Sequence, residues 1–148
     1  MPIQFAASPG YAAVPMLLEM RAAPPLLYAE ISGEVRVKQA RELFERMMGE
    51  YVRTESRCIL IDCRRVVGTL SVMQRYDLGL QLYDGHLRMI ESGRVPPQIA
   101  IVAVPPLFDS GMLMESVAVN RGARLRAVQT LEEAASWLGM DPAALAAT

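Results

Sequence analysis

The chain has 148 residues, 52% of them apolar, with 15 Lys plus Arg against 16 Asp plus Glu and a net charge of -1. That length fits one domain, and the apolar share is ample for a packed core. So near-neutral a chain lacks the general attraction to phosphate backbones or anionic membrane that a basic one has, which disfavours non-specific nucleic-acid binding along with disorder and a large multidomain machine.

Residues 1–14 are rich in Ala, Pro, Gly and Ser and follow neither the strand nor the helix period, so they are expected to form a leader or arm outside the core. Met1–Val14 places no Lys or Arg before its apolar residues, unlike a signal peptide, and the apolar stretch Ile99–Val104 is far too short to cross a bilayer. A soluble cytoplasmic protein is the expectation. Met16–Arg21 and Leu26–Ser32 read as adjacent strands, because Pro24 and Pro25 in the connecting Ala22-Ala23-Pro24-Pro25 cannot continue a ladder. Gly33 ends the second strand. From Val37 the apolar positions Ala40, Leu43, Phe44, Met47, Met48 and Tyr51 recur at three and four and draw the stripe of a helix of about four turns. Its other face carries Arg41, Glu42, Glu45, Arg46 and Glu50, the composition of a solvated surface, with Glu42 and Arg46 spaced as an i,i+4 pair.

Arg57–Asp62 is a short apolar run bounded by charges, the pattern of a strand covered on both faces and hence central in a sheet. Val72, Tyr76, Gly79, Leu80, Tyr83, Leu87 and Ile90 mark a second long helix, stopped by Gly93 and Pro96-Pro97. Gln98–Val104 reads as another buried strand, halted by Pro105-Pro106. Asp109 or Ser110 can cap a helix running to Asn120, with Gly122 beyond its end, and Arg124–Val128 is a last short strand. Thr130-Leu131-Glu132-Glu133 has capping-box spacing and opens a helix that Gly139 closes, while Asp141-Pro142 can start one more turn. The order β-β-α-β-α-β-α-β-α predicts the α/β fold class: a single layered domain over residues 15–139, whose four- to five-stranded mixed, mostly parallel sheet is flanked by helices, with residues 140–148 as a C-terminal tail.

Cys58 and Cys63 lie five residues apart in one extended segment. Their Cα atoms are then about 16 Å apart, beyond disulfide reach, with thiols on opposite faces. They read as buried, reduced thiols of a cytosolic protein.

The chain resembles the SpoIIAA-like proteins of the STAS fold (sulfate transporter and anti-sigma-factor antagonist), especially the bacterial STAS/SEC14-like branch, over about Leu17 to Leu138. The residues that carry the resemblance are Leu26–Gly33 before the first helix, Cys58–Asp62 with Arg64 after it, Ile99–Val102, Asn120-Arg121-Gly122, and Glu132-Glu133-Ala134 with Trp137-Leu138. It implies a SpoIIAA-like sheet and a protein that binds rather than one that makes or breaks covalent bonds. Signalling members carry an Asp-Ser-Ser-Gly run where a serine is phosphorylated; the corresponding position here is Ser71, flanked by Leu70, Val72 and Met73 instead. Ser71 therefore reads either as a helix cap or as a possible phosphosite.

No other motif announces catalysis, a metal or a cofactor. His86 is the sole histidine and has no Cys or carboxylate at ligand spacing on its helix. No Gly-x-Ser-x-Gly elbow presents Ser71, Ser110 or Ser116 to it, and neither Gly-x-Gly-x-x-Gly nor a P-loop is present. Position is more informative, because ligands of open α/β sheets settle outside the carboxyl ends of the strands. Asp62, Arg64, Arg65, Phe108, Asp109 and Ser110 belong there. The two arginines can hold an anionic head beside apolar Phe108, Met112 and Met114, or they simply pair with Asp62 or Asp109 while the methionines fill the core.

The leading expectation is a non-catalytic binding or signalling module that acts through contacts with a protein partner and self-associates as a homodimer. The alternative is a carrier or sensor of a small amphipathic or lipid-like ligand. A closed apolar cavity of at least about 300 Å³ beside the sheet separates the second from the first.

Overall fold

The computed structural model describes residues 14–107 and 113–146. Its elements are β1 (Leu17–Ala23), β2 (Leu26–Glu34), α1 (Val37–Thr54), β3 (Cys58–Val67), α2 (Val72–Glu91), β4 (Gln98–Val102), α3 (Leu113–Val119), β5 (Leu125–Val128), α4 (Leu131–Leu138) and α5 (Pro142–Ala146). The five strands form one sheet in sequence order; β1 and β2 are antiparallel, and every later pair is parallel. This is the α/β fold class and the mixed sheet that the pattern predicts.

Each parallel strand is reached through a helical crossover, so the sheet is apolar on both sides and builds two cores. Leu27, Ala29, Ile59, Ile61, Ile99 and Ile101 pack with Phe44 and Met47 of α1, Leu82 of α2 and Ala118 of α3. The alternate residues Leu26, Leu60, Ala100 and Val102 pack on the opposite face with Ala134 and Ala135 of α4 and Leu145 of α5. Leu26, Leu27, Ile59, Leu60 and Val102 are the largest fully buried side chains. At about 1.5–3 kcal/mol apiece they make this two-sided centre the main source of stability.

Local chemistry fixes the ends of the helices. The Ser71 hydroxyl accepts from the Gln74 N–H at 3.1 Å while Gln74 Oε1 accepts the Ser71 N–H at 2.8 Å, a complete capping box for α2. Thr130 and Glu133 build the same device at α4, which Gly139 ends in the left-handed conformation. Gly33 has φ +102°, and a Cβ there would stand 2.1 Å from the carbonyl oxygen of Pro15, so only glycine lets the chain before β1 lie against the end of β2.

Several boundaries differ from the sequence reading; β2 runs through Gly33 to Glu34, because its backbone stays paired with Val66 and Val67 of β3. The hairpin between β1 and β2 uses only Pro24 and Pro25, since Ala22 and Ala23 pair with Leu27 and Leu26. β4 stops at Val102. Most consequential, β3 continues past Asp62 to Val67, and between Asp62 and Arg65 it takes three steps while β2 takes two from Glu30 to Ser32. That bulge gives β3 one extra residue and turns Val66 back toward the core, where an unbroken alternation would send it out. On the α4 side the apolar pattern stops at Asp62, and among the described residues no helix packs on that face beyond it.

Both cysteines are free and on opposite faces as their spacing requires, but only Cys58, in the α4 core, is buried; Cys63, against the α1 core, is partly exposed, because it follows the last fully covered residues of β3. No helix of the described residues is long and apolar enough to cross a membrane.

Candidate functional site

The charged group nearest to a site lies where β2 and β3 leave the cover of α4. Asp62 is buried, at 2% exposure, and its carboxylate accepts four hydrogen bonds. The Tyr28 hydroxyl donates to Oδ2 at 2.9 Å; the Arg64 backbone N–H and Nε donate to Oδ1 at 3.1 and 2.9 Å, and Arg64 Nη2 to Oδ2 at 2.7 Å. The bulge makes this possible by leaving Arg64 beside Asp62, so that one planar guanidinium grips one carboxylate at two points.

Burial by itself would raise the Asp62 carboxyl, but the hydrogen bonds from the Arg64 side chain and backbone and from Tyr28, together with the guanidinium charge, outweigh it and hold the group below the ordinary carboxylate range. Tyr28 moves upward, first because it is buried and then because its proton is held on Asp62. A carboxylate held ionised and so fully bonded has neither a proton to give nor a free lone pair with which to take one, so it is a poor general acid or base. Arg65, on the same side of the sheet, sets Nε 3.7 Å from Oε2 of Glu30, and the Arg21 guanidinium sits 4.7 Å over the Tyr28 ring.

Of the predicted site residues, the structure brings Asp62 and Arg64 into contact and places Arg65 beside them with its side chain 75% exposed. Phe108, Asp109, Ser110 and Met112 lie outside the described residues. The partners that the sequence reading did not single out are Tyr28 and Glu30, contributed by β2. Tyr28 had one legible signal: a phenol inside an apolar strand needs a hydrogen-bond partner.

A separate cavity of about 120 Å³ lies between the sheet and α1 and α2, walled by Phe44, Met47, Ile61, Cys63, Leu82 and Ile101. Desolvation of its sulfur, and then the charge of Asp62, pushes the Cys63 thiol up to about 12, so it is protonated at neutral pH although the residue is partly exposed. Cys63 faces this cavity while Asp62 lies with Tyr28 on the other face of the sheet. A ligand seated in the cavity therefore cannot rest its head on Arg64 or Arg65.

His86 is partly buried on α2 and its ring is held below its usual value by that burial and by nearby Arg124. Among the described residues no three His, Cys, Asp or Glu side chains converge as a metal site.

No family model and no curated protein matches the chain. Among solved structures it is similar to the crystal structure of an anti-sigma factor antagonist from Mycobacterium paratuberculosis, with 15% identity over 82% of this chain and 92% of that one and a TM-score of 0.48.

Proposed function

We propose that the protein is a non-catalytic module that works by docking a protein partner at the carboxyl end of β3 and the first turn of α2. One observation carries this reading: within seven residues, Val67, Val72 and Met73 leave 58%, 63% and 66% of their surface in water. Large apolar side chains grouped at one end of a sheet mark a contact surface more often than scattered ones do. Arg65, two residues before Val67 and largely exposed, supplies a polar rim, and Ser71 stands between the apolar groups as the cap of α2. Phosphorylation of Ser71 would set a dianion inside this surface at a helix N-terminus, where it can be accommodated, and would change what docks there.

The carrier reading finds less support. A cavity of about 120 Å³ is near the size that holds one benzene ring and well short of an acyl chain. An anionic ligand held by Arg64 and Arg65 would have to share Arg64 with Asp62.

Cross-linking in extract of the source organism, with wild type and a Val72→Lys/Met73→Lys variant of matched melting temperature, tests the proposal. The expected result is a cross-linked protein partner that the double variant loses. An unchanged adduct, or a small molecule that copurifies in native mass spectrometry and leaves on denaturation, would overturn it.

A further inference from the structure

The two edges of the sheet are treated differently. At β5, the N–H of Ala127 donates to Glu115 Oε2 at 2.7 Å, and just beyond the strand the N–H of Gln129 donates to Glu133 Oε1 at 3.0 Å. Side-chain carboxylates thus occupy backbone donors that an incoming strand would need, a common way of closing an edge. β1, the other edge, is longer, with seven residues against four, and among the described residues no side chain bonds its backbone between Leu17 and Ala23.

The side chains of β1 add a second observation. Glu19 lies directly opposite Glu30 of β2, and like charges in that position repel. Glu30 has Arg65 as its counter-ion, whereas no ion pair among the described residues includes Glu19. Two residues on, exposed Arg21 stacks over the face of Tyr28 and, among the described residues, makes no ion pair.

We propose that β1 pairs with β1 of a second copy of this chain, antiparallel about Met20, joining the two five-stranded sheets into one. In that register Glu19 of each copy faces Arg21 of the other, so the symmetric pairing supplies the counter-ion that Glu19 lacks, twice over. Leu17, 59% exposed, falls opposite the small side chain of Ala23. The charge order of this strand is self-complementary across a two-fold axis, which a strand of one charge sign would not be. This inference does not rest on the docking surface at Val67, Val72 and Met73.

The test is sedimentation of the full chain from about 1 to about 500 μM, the range in which a modest strand interface assembles. Wild type is expected to dimerise with concentration. Glu19→Arg and Arg21→Glu, each alone, set like charges opposite one another at two places and should weaken the dimer about tenfold or more; together they restore complementarity and should return it to within about threefold of wild type. Because the double variant also loses the Arg21 contact with Tyr28, its recovery separates charge pairing from damage to the fold. As a measurement without substitutions, the β1 amides of wild type should gain protection from hydrogen exchange as concentration rises. A wild type that stays monomeric, as when its own first residues or another protein cover β1, overturns the proposal. So do a dimer that neither single variant weakens, a double variant as weak as the singles, and β1 protection that ignores concentration.

Discussion

The two faces of the sheet solve different problems. Beneath α1, α2 and α3, the strands present Leu27, Ile59, Ile61, Ile99 and Ile101 to three helices, and the small cavity there is lined mostly by apolar side chains, with Arg75, Gln81 and Glu115 among them. On the opposite face α4 and α5 cover Leu26, Leu60, Ala100 and Val102, then the cover stops and the sheet continues into Arg21, Tyr28, Glu30, Asp62, Arg64 and Arg65. Where a helix covers the sheet, apolar burial stabilises it; where none does, the strand side chains pair with one another. Asp62 marks the border, buried like a core residue yet bonded like a surface one.

The covered region is where truncation costs most. Leu60 is fully buried between β2 and β4, so Leu60→Ala should lose about 2–5 kcal/mol in urea unfolding with the slope unchanged. A loss under about 1 kcal/mol would mean that the α4 face is loosely packed and that covered and bare sheet differ little in stability.

At the border, Asp62→Asn should cost less, about 1–3 kcal/mol, because it leaves Arg64 without its charge partner and sets an amide against the Arg64 N–H. This loss depends on pH. The folded-state carboxyl of Asp62 lies below its unfolded value, so its contribution is complete above about pH 4 and is lost as pH falls through the lowered folded value. The gap between wild type and Asp62→Asn should therefore close in acid; a gap that persists at low pH would assign the cost to packing alone.

The smallest effect concerns reactivity, not stability. With its thiol pushed up to about 12, Cys63 should react with iodoacetamide at pH 8 roughly a thousandfold more slowly than free cysteine, and at the ordinary rate once the protein is unfolded. Fast labelling of the folded chain would show that the thiol is not held so far above its ordinary value.

Much of the frame was legible from local pattern. Ser71 takes the cap role that was one of its two readings, Thr130 caps the helix that its spacing with Glu133 marks, Gly139 takes the left-handed conformation, and the strands of the parallel sheet fall on the apolar runs Cys58–Ile61 and Gln98–Val102. The site was legible only in part. Arg64 and Asp62 are two residues apart, so their pairing was among the alternatives that sequence left open. Tyr28 meets Asp62 across 34 residues of chain, and Glu30 reaches Arg65 only in the register set by the bulge in β3. A bulge has no period to detect, and Arg64-Arg65 after an apolar run reads equally as the end of a strand or its continuation on a bare face.

Sequence by itself determined the alternation of strands and helices, their caps, and the number of faces each strand buries, because these follow from spacings of two to four residues. Tertiary structure decided the register between strands, where the helical cover ends, and which charges meet. Those outcomes depend on register between distant segments, where one inserted residue in β3 reverses the side chains that follow it.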